Sequence, residues 1–180
     1  NQVLTPMRTA IISSLACLLL AGCLGHPPGV QPVSEFQLER YLGTWYEIAR
    51  LDHSFERGLQ QVTAQYSLRD DGGVRVINRG YSTEDGTWRE AEGKAYFVGD
   101  RGEGHLKVSF FGPFYGSYLV FGLDHENYAY SFVAGPDHSY LWLLSRTPTV
   151  SSAVMEHFLE QAQQAGFATD ALILVQQASP

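Results

Sequence analysis

The strongest constraint on how this chain can fold is a two-residue alternation of apolar and polar side chains that recurs down its length. It is cleanest at residues 61–69, where Val62, Ala64, Tyr66 and Leu68 fall on one side and Thr63, Gln65, Ser67 and Arg69 on the other. Successive strand side chains point to opposite faces, so this is the pattern of a half-buried strand. Asp70-Asp71-Gly72-Gly73 supplies a hairpin turn, and residues 74–80 form the return strand. Runs rich in β-branched and aromatic residues recur at 44–51, 93–98, 105–111, 118–123, 128–134 and 140–145, bounded by Gly, Pro, Asp or Asn. That makes eight strands with short connections. The expected fold class is all-β, an eight-stranded up-and-down antiparallel barrel, because closure removes the unpaired edges an open sheet would expose. A barrel of eight strands has room for its own side chains or for one small ligand.

The period changes once. Ser151 is placed as an N-cap, and Val154, Phe158, Leu159, Ala162 and Ala165 form an apolar stripe at helical spacing that ends at Gly166. The stripe needs an apolar partner, which the outer face of the first strand offers through Tyr46 and Ile48, so the helix is expected outside the barrel. Leu172-Ile173-Leu174-Val175 then reads as a short ninth strand.

The first 35 residues are a different kind of sequence, since all 10 Phe, 10 Tyr and 3 Trp lie from Phe36 onward. Met7-Arg8-Thr9, an apolar run over residues 10–20 and small residues after it form a secretory signal, with residues 1–6 an upstream leader. The run is shorter than the roughly 20 apolar residues a spanning helix needs. Leu20-Ala21-Gly22-Cys23 resembles the bacterial lipobox. The resemblance implies that residues 1–22 are removed, that Cys23 is acylated, and that Leu24 after it directs the protein to the outer membrane. Residues 23–34, with Pro27, Pro28 and Pro32, are expected to be a stiff lipidated tether, and residues 35–180 the barrel domain. Of the two cysteines, Cys17 leaves with the signal and Cys23 is blocked, so no disulfide scaffold and no thiolate metal cluster is expected.

The charge balance excludes one class of partner. With 12 Lys and Arg against 19 Asp and Glu, a formal net charge of −7 and no basic run, the chain lacks what phosphate neutralisation requires, so no nucleic-acid partner is expected. Hydrophobic residues at 44% and charged residues at 17% argue against disorder.

Gly43-Thr44-Trp45-Tyr46 at the start of the first strand resembles the Gly-x-Trp signature of lipocalins. Two further motifs follow in order, Leu123-Asp124-His125-Glu126-Asn127-Tyr128 at the sixth hairpin and Leu144-Ser145-Arg146-Thr147-Pro148 after the eighth strand. Trp45-Tyr46-Glu47-Ile48-Ala49-Arg50 and Phe110-Phe111-Gly112-Pro113-Phe114-Tyr115-Gly116 look like the bacterial outer-membrane lipoprotein lipocalins in particular. The resemblance implies that Trp45 and Arg146 meet at the closed end, guanidinium over indole, a contact worth about 0.5 to 2 kcal/mol.

Turn lengths then place residues 70–73, 99–104 and 124–127 at the closed end, and 52–60, 82–92, 112–116 and 135–139 at the mouth, where Phe114 and Tyr115 present aromatic area. Parity from Trp45 and Arg146 turns Glu47, Ala49 and Leu51 inward, with Tyr140, Trp142 and Leu144, and with Val62, Ala64 and Tyr66. It extends to Val76, Ala95, Phe97, Leu106, Val108, Phe110, Tyr118 and Val120. The candidate pocket is therefore Ala49, Ala64, Tyr66, Phe97, Val108, Phe110, Tyr118, Tyr140 and Trp142, with Glu47 as a buried carboxylate that must be paired or protonated.

The ligand expected is a fatty acid or (lyso)phospholipid, since burying about 15 methylenes yields roughly 12 kcal/mol gross. Binding, with transport or storage in the envelope, is the implied function; a lipid-modifying barrel enzyme and an interaction protein with a filled barrel are the alternatives. No enzyme activity, cofactor or metal is expected, because the six histidines are scattered and no Gly-x-Ser-x-Gly elbow occurs. Asp52, His53 and Glu56 read as a solvated lid. Monomer and homodimer are both compatible with the sequence.

Overall fold

The alternating segments pair with their sequence neighbours, as short connections require. A computed structural model describes residues 24–178, so the leader, the signal and Cys23 lie outside the described residues. The strands are β1 (Gly43–Leu51), β2 (Leu59–Leu68), β3 (Val74–Ser82), β4 (Thr87–Phe97), β5 (His105–Phe111), β6 (Phe114–Leu123), β7 (Tyr130–Ala134) and β8 (Leu141–Ser145). Each is antiparallel to the next, and β1 pairs with both β8 and β2, so the sheet closes into a barrel. Two connections differ from expectation. β4 begins at Thr87, with Ser82 opposite Thr87, so most of the expected mouth loop 82–92 is a two-stranded ribbon, its residues 87–92 exposed on both faces. The β5–β6 connection is only Gly112 and Pro113, with Phe111 opposite Phe114.

The register of β1 against β8 shifts between Glu47↔Leu144 and Ala49↔Leu143, which leaves Ile48 as a bulge. One extra residue moves every later side chain to the other face. Trp45 belongs to the core inside the barrel, whereas Ala49 and Leu51 belong to a second core on the outside. Ala49, expected in the pocket, and Leu51 are thus corrected to the outer face, and Arg50, expected outside, is buried inside. Past the bulge β1 leaves β2 and pairs instead with β9 (Leu172–Leu174). The resulting gap is bridged: Gln61 N donates to Gln176 O at 2.8 Å, and Gln177 Nε2 donates to the carbonyls of Glu47 (2.7 Å) and Val62 (2.9 Å). Buried backbone groups at the parting strands thereby keep partners.

The outer core is covered by α2 (Ser152–Gln164), whose Phe158 and Ala162 are fully buried with Ile48, Ala49, Leu119, Phe132, Leu141 and Leu143. Ser151 caps it by accepting from Val154 N at 3.3 Å. Gly166, at φ +90°, ends it, and Phe167 N returns to Ala162 O at 3.0 Å.

The proline-containing segment before the barrel is not a free tether, as was expected. Pro27 and Val30 are buried, Val33 N donates to Val120 O at 2.8 Å, and Gly104 N donates to Val33 O at 2.9 Å. The chain then crosses the closed end as Phe36 and a single turn, α1 (Leu38–Tyr41), with Phe36, Leu38 and Tyr41 buried. Trp45 Nε1 donates to Tyr41 O at 2.8 Å, and the Arg146 guanidinium stands 3.8 Å over the Trp45 ring. Arg146 also donates to the carbonyls of Thr44 (3.0 Å) and Arg40 (2.8 Å), tying the plug to the wall.

Urea denaturation checks both assignments. Trp45→Ala is expected to cost about 3–5 kcal/mol as a core truncation. Ala49→Leu is expected to cost about 1–3 kcal/mol by overpacking the layer beneath α2, without altering the cavity.

Candidate functional site

Inside the barrel, small and aromatic side chains leave space that the strands do not fill. A deep chamber of about 110 Å³ is lined by Ala64, Tyr66, Val76, Ala95, Val108, Phe110, Tyr118, Trp142 and the closed-end residues Phe36, Leu38 and Tyr41. Toward the mouth lies a vestibule of about 700 Å³, walled by Val108, Phe110, Tyr140 and Trp142 and reaching Phe55, Phe111 and Phe114. The vestibule falls within the roughly 300–1,000 Å³ typical of small-molecule sites. Of the expected pocket residues, Ala64, Tyr66, Val108, Phe110, Tyr118, Tyr140 and Trp142 meet here. Ala49 does not, being outside the wall. Phe97 does not either: its ring packs edge-on to Phe36 at 6.1 Å under the guanidinium of Arg101, within the closed-end core.

The chamber floor carries three phenols. Tyr41 Oη is 2.8 Å from Tyr118 Oη and 2.9 Å from Ser131 Oγ, and Tyr66 Oη is 2.9 Å from Tyr118 Oη. The buried hydroxyls satisfy one another. Burial pushes the Tyr41 phenol up to about 12 and raises Tyr66 and Tyr118 as well, so the floor is polar but uncharged.

Between chamber and vestibule sits an ionic cluster the sequence did not reveal. Arg50 donates to Glu47 Oε1 at 3.0 Å, to Glu56 O at 2.9 Å and to Leu59 O at 3.3 Å. Glu56 Oε2 accepts from His53 Nε2 at 2.9 Å and from Trp142 Nε1 at 3.0 Å, with Arg50 Nε at 4.0 Å. His53 and Glu56 are therefore not a solvated lid; their side chains are 7% and 12% exposed. Burial and the neighbouring Glu56 charge hold the Glu47 carboxyl well above its ordinary range, against the pull of Arg50. Burial also disfavours the charge on Glu56, but the hydrogen bonds from His53 and Trp142 and the charges of His53 and Arg50 outweigh it, and its carboxyl lies below the ordinary range. Of the two carboxyls around Arg50, Glu56 is the one whose ionised form the site favours, and Glu47, which accepts from Arg50 at 3.0 Å, is the one that holds a proton more readily. Arg50 Nε and His53 Nδ1 are buried without a hydrogen-bond partner among the described residues. The spacings Glu47–Arg50 and His53–Glu56 were visible in the sequence, but only the Ile48 bulge turns Arg50 inward beside Glu47.

A closed-end clasp of Trp45 and Arg146, an eight-stranded cup and an external helix followed by a ninth strand form one recognisable arrangement. Residues 36–177 match the family model described as a lipocalin-like domain. The chain belongs to the lipocalin family. It is 64% identical over 168 residues to the outer membrane lipoprotein Blc of Vibrio cholerae, covering 93% of this chain and 98% of that protein. It is 54% identical over 169 residues to the outer membrane lipoprotein Blc of Escherichia coli K12, covering 93% and 95%. Among solved structures, insecticyanin from the tobacco hornworm Manduca sexta superposes with a TM-score of 0.69 at 23% identity over 86% of this lipocalin and 88% of that chain, a likeness of fold.

The cluster generates an asymmetric prediction. Glu56→Gln is expected to destabilise the lipocalin by about 3–5 kcal/mol, because it removes the buried negative charge that accepts from His53 and Trp142 and stands beside Arg50, whereas Glu47→Gln is expected to be tolerated at neutral pH. A carboxyl raised in the fold contributes stability that is full below its unfolded pKa and is lost as pH rises through its folded pKa. Thermal denaturation of Glu47→Gln from pH 4 to pH 8 should therefore show less of the loss with rising pH that the parent shows.

Proposed function

We propose that this lipocalin is held at the outer membrane by an acylated Cys23 and binds one long-chain lipid, a fatty acid or a lysophospholipid, as a carrier or store in the cell envelope. The observation that carries the reading is the cavity, sealed at one end by α1, Trp45 and Arg146 and open at the other through an apolar vestibule. The location rests on the lipobox-like Leu20-Ala21-Gly22-Cys23 and on relatives bearing the name outer membrane lipoprotein.

The size of the space favours a chain over a compact ligand. The deep chamber is smaller than the roughly 150 Å³ an engineered cavity uses to bind benzene, so it takes the tip of an acyl chain while the rest lies in the vestibule. Burying about 15 methylenes yields roughly 12 kcal/mol gross, against association costs of about 4–15 kcal/mol. The remainder suits a protein that must also release its ligand. The headgroup then lies near the mouth, where His53, Arg79 and Arg89 line the vestibule beside Glu90 and Glu92. Binding rather than turnover is favoured because the cavity carboxylates are engaged with Arg50, His53 and Trp142.

Trp142 is the natural reporter, since it lines both compartments. A fluorescent fatty acid should bind saturably, quench Trp142 and be displaced by lysophospholipid. Trp142→Ala should weaken that binding by about tenfold, equivalent to about 1.4 kcal/mol. Absence of any saturable binding by the purified protein would defeat the proposal, and catalytic consumption of lysophospholipid would favour the enzyme instead.

A further inference from the structure

The deep chamber ends on four linked hydroxyls whose protons outnumber the hydrogen bonds between them. Ser131 of β7, Tyr41 of α1, Tyr118 of β6 and Tyr66 of β2 form a chain in that order, with oxygen separations of 2.9, 2.8 and 2.9 Å. None of these side chains makes a further hydrogen bond among the described residues. Each hydroxyl carries one proton and accepts at two lone pairs. Three contacts consume three protons, so one O–H is left without an acceptor whichever way the chain is oriented.

Burial decides where the spare proton lies. Ser131 is fully buried and does not line the chamber, whereas Tyr41, Tyr66 and Tyr118 all line it. A proton left on Ser131 would be stranded inside the wall, at the cost of a lost hydrogen bond. When Ser131 donates to Tyr41 instead, the surplus passes along the chain to a phenol that faces open space. The raised phenol pKa values keep these protons in place at neutral pH. Charge then limits what can meet the free O–H. No lysine or arginine lines the chamber, while Glu47 and Glu56 do, and the site favours the ionised form of Glu56. An anionic group at this depth is repelled by that charge, and a neutral oxygen is not.

We propose that the chamber floor is a subsite for a neutral oxygen, and that the preferred ligand is an acyl chain carrying a ketone or hydroxyl near its methyl end. The inference rests on the reading of the cavity as a lipid site with the chain tip in the deep chamber. An unsubstituted methyl end that fills the chamber covers the free O–H and gives it nothing to donate to. A ketone at the same depth accepts the bond. A hydroxyl accepts it too, and returns its own proton to a phenol lone pair. The carboxylate or phosphate of the same ligand stays at the mouth, where Arg79 and Arg89 line the vestibule.

The test compares displacement of a fluorescent fatty acid from the purified protein by palmitic acid, by its ω−1 ketone and by a mid-chain ketone of the same length. The ω−1 ketone is expected to bind about tenfold more tightly than palmitic acid, equivalent to about 1.4 kcal/mol, and the mid-chain ketone no more tightly. The carbonyl stretch of the bound ω−1 ketone is expected below its position in hydrocarbon solvent, as hydrogen bonding requires. Replacing the whole chain at once, by Tyr41→Phe, Tyr66→Phe, Tyr118→Phe and Ser131→Ala, leaves no hydroxyl without a partner and is expected to abolish the preference. Palmitic acid binding as tightly as the ω−1 ketone would overturn the inference and leave the carrier reading standing. So would a mid-chain ketone that binds as well as the ω−1 ketone, a preference that survives the combined substitution, or an unshifted carbonyl band, which needs only the parent protein. Asn78 lines both compartments, and loss of the preference in Asn78→Leu alone would place the oxygen at the waist and overturn the floor subsite. Absence of saturable palmitic acid binding would overturn the carrier reading, and this inference with it.

Discussion

A single inserted residue, Ile48, organises the working half of this barrel. Before it, β1 faces Trp45 and Glu47 inward; after it, Arg50 points in, and Ala49 and Leu51 lie in the core shared with α2. A bulge also increases local twist and bends its strand, and at this place β1 parts from β2 and takes β9 as its neighbour. Arg50 inside, the helix outside and the glutamine-bridged gap therefore meet at one irregularity. With regular pleating the arginine would stand against the apolar face of α2, and the cavity carboxylates would lack their cation.

The cavity is neither a packed core nor an empty cup. Aromatic side chains occupy most of the closed end, where Tyr41, Tyr66 and Tyr118 satisfy one another's hydroxyls. The ionic cluster occupies the waist, and the open volume is mostly above it. Such an arrangement keeps polar groups in a low-dielectric interior only because nearly all of them have partners. Protonation at the waist is also asymmetric: burial, with the neighbouring Glu56 charge, raises the Glu47 carboxyl, and the hydrogen bonds from His53 and Trp142 outweigh burial and lower that of Glu56. Trp142 links the two functions of this region, as a wall of the cavity and as a donor to Glu56.

The segment before the barrel shows how composition can mislead about mechanics. Three prolines within residues 27–32 suit a stiff spacer. Here Pro27 and Val30 pack on the barrel, and Val33 joins the hydrogen bonding of Gly104 and Val120. A segment lacking some backbone donors lies against a wall as readily as it stands free, provided apolar surface awaits it. The consequence is mechanical, since the stretch that was to lift the domain instead fastens its first residues to the barrel side.

Local periodicity was enough to establish the strand count, the barrel, the external helix with its Ser151 cap and Gly166 stop, and the ninth strand, because a period of two or of 3.6 is written in neighbouring residues. The Trp45–Arg146 clasp was legible through resemblance, and most of the inward residues on β2, β5, β6 and β8 through parity. The tertiary structure alone decided the face of Ala49, the burial of His53 and Glu56, the place of Phe97 in the closed-end core and the docking of residues 27–34. Each of these depends on register across β1 and β8 or on a surface supplied by residues distant in sequence. Alternation in one strand records which side chains share a face; it cannot record where the partner strand forces an extra residue and exchanges the faces.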